Sequence, residues 1–317
     1  MQKLAVGIDI GGTNTVFGLV DKEGNCLVQD SIFTKQFDNF DDFVKVLAEK
    51  IKSLSKKLHF KFELIGAGVG APNANYRDNS IEEASNLPWK GKLQLGDLLK
   101  RELNIPVYVT NDANAAAVAE MIFGGAIGMK HFMVLTLGTG LGSGIVIDGE
   151  LLYGYSGFAG ELGHVIVRPE GRHCGCGRLG CLETYVSATG IKRTVSKLFA
   201  KHHDKSELRN LPFNKMSARR LADAAYAGDK IALESFEFTG RILGLALANV
   251  VALNNPEVIF LSGGLAKAGD LILKPTQYHM DDNLLSVLKG KTKVELSKIQ
   301  GNSGLLGAAA LVWKVLE

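Results

Sequence analysis

Residues 4–21 read LAVGIDIGGTNTVFGLVD, and residues 132–149 read FMVLTLGTGLGSGIVIDG. Each stretch is an apolar run, a Gly/Thr loop, a second apolar run and an Asp-containing turn. The spacing matches as well, since Gly11 to Asp21 and Gly138 to Asp148 both span ten residues. Two copies of one hairpin make chance a poorer explanation than it is for a lone Gly-rich loop. They predict an internal duplication, one copy per domain. In Asp9-Ile10-Gly11-Gly12-Thr13-Asn14 the glycines let backbone N–H groups approach an anion, and Thr13 and Asn14 add donors. Asp9 is a carboxylate of the kind that holds a hydrated Mg²⁺. Gly138-Thr139-Gly140 repeats the donor arrangement. As a pair the loops predict a polyphosphate clamp. Taken singly, each reads as a tight hairpin turn whose glycines supply positive φ.

Outward from these hairpins, residues 26–31, 64–70, 106–110 and 257–261 read as further strands. Apolar positions 43, 44, 47, 51, 54 and 58 recur at a helical period over 41–58. Helices are also predicted at 92–102, 113–123, 217–227, 229–254 and 304–315, and 200–215 reads as polar loop. Strands alternating with helices argue an α/β protein. The last helix fits either domain.

Composition excludes several function classes. The 317 residues carry 36 Lys+Arg against 33 Asp+Glu, a net charge of +3, which is no basic patch for nucleic acid. With 46% hydrophobic and 22% charged residues the chain is not disordered. The N-terminus lacks the apolar core of a secretory signal, so the protein reads as cytoplasmic. The stretches near 132–147 and 242–256 fall short of the ~20 apolar residues of a membrane span. No G-x-x-x-x-G-K-[ST], no helix-opening G-x-G-x-x-G and no G-x-S-x-G occurs. Glycine is in excess, 37 residues where ordinary usage predicts about 22. Seventeen of them lie between Gly124 and Gly190, which reads as backbone brought close to ligands.

Three of the four cysteines, Cys174, Cys176 and Cys181, lie within eight residues, and His164 precedes them. One imidazole and three thiolates form a closed tetrahedral set, the donor chemistry of structural Zn²⁺. Buried inert thiols or a redox pair are the alternatives. Cys26 reads as a small strand residue.

Asp9-Ile10-Gly11-Gly12-Thr13, Leu137-Gly138-Thr139-Gly140, Glu161-Leu162-Gly163-His164 and Cys174-Gly175-Cys176-Gly177-Arg178-Leu179-Gly180-Cys181-Leu182-Glu183 together resemble the ROK family (repressors, uncharacterised frames and sugar kinases). The resemblance runs from Asp9 to the last helix. It implies a two-domain actin-like ATPase (ribonuclease H-like) α/β fold with a central cleft for ATP and sugar. The implied domains are 1–117, with helix 302–317 packing back on it, and 118–301, which carries the zinc loop. Asn111-Asp112 matches the family's N-D motif, in which the Asp is the catalytic base; the alternative is a helix cap. Asn86, Asn111, Glu161, His164 and Glu183 match sugar-contacting positions. His164 would offer one ring nitrogen to the metal and the other to the sugar. Ser262-Gly263-Gly264 matches the adenosine-side loop. One departure is Pro72-Asn73, where the family often has Pro-Gly.

The activity so implied is transfer of the γ-phosphoryl of ATP, with Mg²⁺, to the 6-hydroxyl of an aldohexose, glucose first. N-acetylglucosamine or N-acetylmannosamine is the alternative substrate, with fructose or allose more distant and polyphosphate an alternative donor. The partners are a sugar and ATP, without nucleic acid or membrane, and the resemblance implies a homodimer. A sugar-responsive repressor is disfavoured, because eight residues ahead of Asp9 leave no room for a helix-turn-helix.

Overall fold

The computed structural model describes every residue except Ser85, Gln300 and Glu317. The chain divides into two compact units, each described in turn. The first holds Met1–Met129, Glu150–Ala159 and Lys298–Glu317, and the second Lys130–Gly149 and Gly160–Ser297. The sequence draws its boundary at 117/118; by internal contacts the whole of the helix that begins at Asp112 stays with the first unit.

In the first unit, β1 (Gln2–Ile10), β2 (Asn14–Val20), β3 (Cys26–Phe33), β4 (Phe62–Gly70) and β8 (Val107–Thr110) form one sheet, ordered β3-β2-β1-β4-β8. β1 pairs antiparallel with β2 and parallel with β4, which pairs parallel with β8. A small antiparallel sheet, β5 (Ala74–Asn75), β6 (Ser80–Glu82) and β7 (Lys92–Leu93), follows β4. The short strand β11 is Glu150–Leu151. Because side chains alternate along a strand, Leu4, Val6, Ile8 and Ile10 face a core shared with α1 (Phe40–Ser55) and α2 (Leu95–Leu103). Ala5 faces the opposite way, towards the final helix α8 (Ser303–Leu316). Burial on both faces explains the unbroken apolar run of β1. α1 starts where the Asn39 side chain accepts the N–H groups of Asp41 and Asp42. α3 (Asp112–Phe123) follows β8 and also contacts α8.

α8 packs on β1 and β4, so the unit it joins, open in the sequence, is the first. Glycines in the strands permit this: a β-carbon at Gly7 would overlap the Leu305 carbonyl, and one at Gly68 the Ala308 carbonyl. Part of the glycine excess therefore serves helix-on-sheet contact as well as loops. Gly68→Ala forces α8 off the sheet. We expect a loss of ~1–3 kcal/mol, the range for overpacked cores, read as a lower denaturation midpoint at unchanged m-value.

In the second unit, β9 (Phe132–Leu137), β10 (Leu141–Ile147), β12 (Val258–Ser262) and β13 (Lys293–Leu296) run in the order β10-β9-β12-β13. β10 is antiparallel to β9, and β9, β12 and β13 are mutually parallel. This is the pattern of β2-β1-β4-β8, so the two hairpins stand at equivalent places in two sheets. The helices are α4 (Ala188–Lys201), α5 (Ala218–Tyr226), α6 (Lys230–Asn254) and α7 (Asp270–Asn283). α4, α7 and β13 are not legible in the sequence; α7 carries Pro275 inside it. The 200–215 segment holds two 3-10 turns, Glu207–Asn210 and Phe213–Lys215. α6 is long and apolar enough to cross a membrane by length and composition, but 56% of that window is buried. It packs against α7 and α4 as a core helix.

Candidate active site and metal centre

In the first unit β1 delivers Asp9, and the chain reverses through Gly11, Gly12 and Thr13 into β2. The Gly11 N–H donates to Asn14 O at 3.0 Å, and Thr34 N–H donates to Thr13 O at 2.8 Å. A β-carbon on Gly12 would lie 2.5 Å from the Asn86 carbonyl oxygen, so exposed Asn86 sits over this loop. The Asp9 carboxylate lies against Gly304 at the start of α8, where a β-carbon would overlap it. Sequence reading missed Gly304, because nothing local links residues so far apart in the chain.

Asn111 is the N-cap of α3, its Oδ1 accepting Asn114 N–H at 2.7 Å. The cap is thus assigned to Asn111 rather than Asp112. Asp112 Oδ1 accepts the N–H of Ala113 at 2.9 Å. Its side chain reaches solvent, yet the carboxyl is crowded by protein. That desolvation raises its pKa against the backbone hydrogen bonds that lower it. Asp9 is pushed up to about 6, first by desolvation and then by the charge of Asp112.

A carboxyl whose folded pKa is raised stabilises the fold below its unfolded pKa, and that contribution is lost as pH rises through the folded value. Asp9 therefore destabilises the ligand-free protein above pH 6. We expect Asp9→Asn to raise ligand-free stability at pH 7.5 by up to about 3 kcal/mol, with the gain vanishing below about pH 3. Thermal melts of both proteins across that range check it.

Pro72-Asn73 departs from the Pro-Gly pattern, but Asn73 has φ +49°. Asparagine tolerates this left-handed conformation better than other side-chain-bearing residues. The backbone there keeps the shape a glycine would give.

In the second unit the Gly138 N–H donates to Gly140 O at 3.0 Å, and Gly138 O accepts Ala188 N–H at 2.8 Å, which pins the loop to the start of α4. Thr139 is exposed at its apex. Gly263 (φ +88°) lies against the Leu137 backbone, and Leu265 N–H donates to Leu137 O at 3.0 Å. Ser262-Gly263-Gly264 therefore adjoins the second loop. A β-carbon at Gly140 would lie 2.6 Å from Glu183 Oε2, so Glu183 adjoins it too.

Glu161 precedes a 3-10 turn, Leu162–His164, and its carbonyl accepts the His164 N–H at 3.0 Å. Buried Ser143 anchors this turn, donating to Gly160 O and accepting Leu162 N–H at 3.2 Å. A polar residue inside the apolar β10 was the signal for Ser143, and sequence reading did not use it. A second 3-10 turn, Leu182–Thr184, presents Glu183.

His164, Cys174, Cys176 and Cys181 converge, with their donor atoms all within 4.8 Å of one another. Cys176 Sγ and Cys181 Sγ are 3.7 Å apart, and Cys174 Sγ is 3.6 Å from His164 Nδ1. A tetrahedron with metal–sulfur bonds of ~2.3 Å and a metal–nitrogen bond of ~2.0–2.1 Å has S···S edges of about 3.8 Å and an S···N edge of about 3.6 Å. The spacing fits a shared metal and is far too long for a disulfide. The fold of this loop depends on Gly180, which has φ +78° and packs on the Arg168 carbonyl. Nδ1 faces the thiols, which leaves Nε2 of His164 on the other side of the ring. Cys174 Sγ also donates to Glu183 Oε1 at 3.0 Å. The four donor side chains, Glu183 and the second Gly/Thr loop thus adjoin one another in this unit.

The ROK family profile matches residues 5–315. The chain belongs to the ROK family. Among its relatives, a glucokinase of Halalkalibacterium halodurans is 37% identical over 97% of this chain and 94% of its own length. A glucokinase of Thermotoga maritima is 35% identical over 98% of both chains. The crystal structure of a ROK family glucokinase from Streptomyces griseus, in complex with glucose and AMPPNP, superposes with a TM-score of 0.82. It is 30% identical, covering 98% of this chain and 99% of that one. The ROK fold seen here is accordingly the actin-like ATPase type, with its repeated hairpin in each unit.

Proposed function

We propose that this ROK protein is an ATP-dependent glucokinase that transfers the γ-phosphoryl of ATP to the 6-hydroxyl of glucose. The reading is carried by one observation beyond its similarity to glucokinases: Asn111 takes over the helix cap and leaves the Asp112 carboxylate available. Asp112 accepts the 6-hydroxyl proton as that oxygen attacks the γ-phosphorus and ADP departs. Its raised pKa brings it closer to the working pH, where a general base is most effective. Asn86, Asn111, Glu161, His164 Nε2 and Glu183 bind sugar hydroxyls, the carboxylates accepting from hydroxyl donors. Gly12, Thr13, Asn14, Thr139 and Gly140 offer their N–H, hydroxyl and amide groups to the phosphates. Gly11 and Gly138 close the loops with their own N–H groups and let the backbone approach the anion, and Gly263 and Gly264 border the adenosine.

Asp9 would hold Mg²⁺ through water, supplying positive charge at the phosphates. The Cys₃His set would hold Zn²⁺, fixing the ring of His164 and the approach of Glu183. A cytoplasmic homodimer belongs to the same reading. The test is an ADP-release assay over glucose, N-acetylglucosamine, N-acetylmannosamine, fructose and allose, with polyphosphate replacing ATP in one arm. We expect glucose with ATP to give the highest kcat/KM. A higher value for either N-acetylhexosamine overturns the substrate assignment, and phosphorylation of none overturns the reading.

A further inference from the structure

A cavity of about 770 Å³ opens in the second unit, between the 168–172 turn, α4 and α6. That volume lies in the range of small-molecule sites. It is apart from the Gly/Thr loop and the metal donors, none of which lines it. Five cationic side chains line it, Arg168, Arg172, Lys197, Lys201 and Arg241, against two acids, Glu170 and Glu234. Glu234 is already engaged, by Lys201 at 3.5 Å and His202 at 3.1 Å. Among the described residues no carboxylate pairs with Arg168, Arg172, Lys197 or Arg241.

A solvated surface patch would leave such cations mobile. Here Arg172 is held by hydrogen bonds, and Arg168 and Arg241 lie near an aromatic ring. Arg172 donates to Thr184 O at 2.8 Å, Gly190 O at 3.0 Å and Thr194 Oγ1 at 2.9 Å, and lies 4.5 Å from the Tyr185 ring centroid. Its own backbone N–H is fixed by the Tyr185 hydroxyl at 3.0 Å. Arg168 lies 5.2 Å from the Phe238 centroid and Arg241 lies 5.6 Å from the same ring. Two like charges gathered at one ring repel, and an anion between them relieves that repulsion. Guanidinium forks are weakly hydrated and match phosphate oxygens bidentately. Arg172, fixed in place by two carbonyls, a hydroxyl and a ring, needs little further ordering to bind.

We propose that this cavity is a binding site for a small phosphate-bearing molecule, separate from the phosphate loops. The concave shape confines the ligand to a small molecule, and a net charge of +3 over the whole chain offers no extended track for nucleic acid.

The test is calorimetric titration of the full chain with inorganic phosphate, glucose 6-phosphate and tripolyphosphate at constant ionic strength. The same titrations are run on Arg168→Gln/Arg241→Gln and on Lys197→Gln. We expect at least one probe to bind the unaltered protein. Its affinity falls tenfold or more in the double variant and about threefold in Lys197→Gln, an exposed position that cannot unfold the chain. Far-UV spectra and melts establish that the double variant is folded. No binding by any probe overturns the proposal. So does equal affinity in the unaltered protein and Lys197→Gln together with the folded double variant, since the ligand then sits elsewhere.

Discussion

Asp112→Asn is expected to lower kcat by about 10²–10⁴-fold, the span over which a positioned general base contributes. The glucose dissociation constant should change by no more than a few-fold. The amide keeps the size of the side chain and one acceptor oxygen, so the hydrogen bond from Ala113 N–H at 2.9 Å survives. The cap of α3 is untouched, because Asn114 N–H goes to Asn111. What is lost is the capacity to take a proton. Stopped-time ADP release gives kcat, and equilibrium titration with glucose gives the binding constant. Unchanged turnover would remove Asp112 from the chemistry. Asn111→Ala serves as the contrast. It removes the cap and should cost about 1 kcal/mol of stability, a loss that Asp112→Asn should not show.

Removing the metal donors should have the second largest effect, and on a different constant. Cys181 is fully buried and Cys176 is exposed, so Cys176→Ser offers a variant with little core disturbance and Cys181→Ser a more severe one. Purified protein should contain about one zinc per chain by elemental analysis, and either variant should contain far less. Without the metal, the His164 ring keeps only its longer contacts with Cys174 Sγ at 3.6 Å and Glu183 Oε1 at 3.9 Å, and the Cys174 thiol keeps its hydrogen bond to Glu183. Both groups are assigned to the sugar, so KM for glucose should rise by roughly 10–100-fold, the usual cost of disturbing such supporting contacts. Because Asp112 Oδ1 accepts from Ala113 N–H and, among the described residues, from none of the four donors, kcat at saturating glucose should fall less. A normal KM in a metal-free variant would separate the metal from sugar binding. Protein that carries no zinc when freshly purified would remove the metal assignment.

Much of this was legible in the sequence because the signals are local. Strand and loop periodicity announces β1–β2 and β9–β10. The Cys₃His donors lie within eighteen residues, so a short loop with Gly180 at positive φ suffices to gather them. Asn111-Asp112 stands at a strand-to-helix junction that apolar patterning marks clearly. The helix α7 escaped because Pro275 and a polar face weaken its period, and β13 because four residues, KVEL, hold too little pattern.

What the sequence determined by itself is the class of fold, the duplicated hairpin, the family and the chemical types at the site, since these rest on residue identity and short spacing. The tertiary structure alone decided which side chains act together. Gly304 leaves space for Asp9, and α8 packs on β1 and β4 because Gly7 and Gly68 present no β-carbon. Glu183 sits between the thiols and Gly140, while Arg168 and Arg241 share one aromatic ring. Such pairings depend on packing between segments distant along the chain, and no one-dimensional pattern records them.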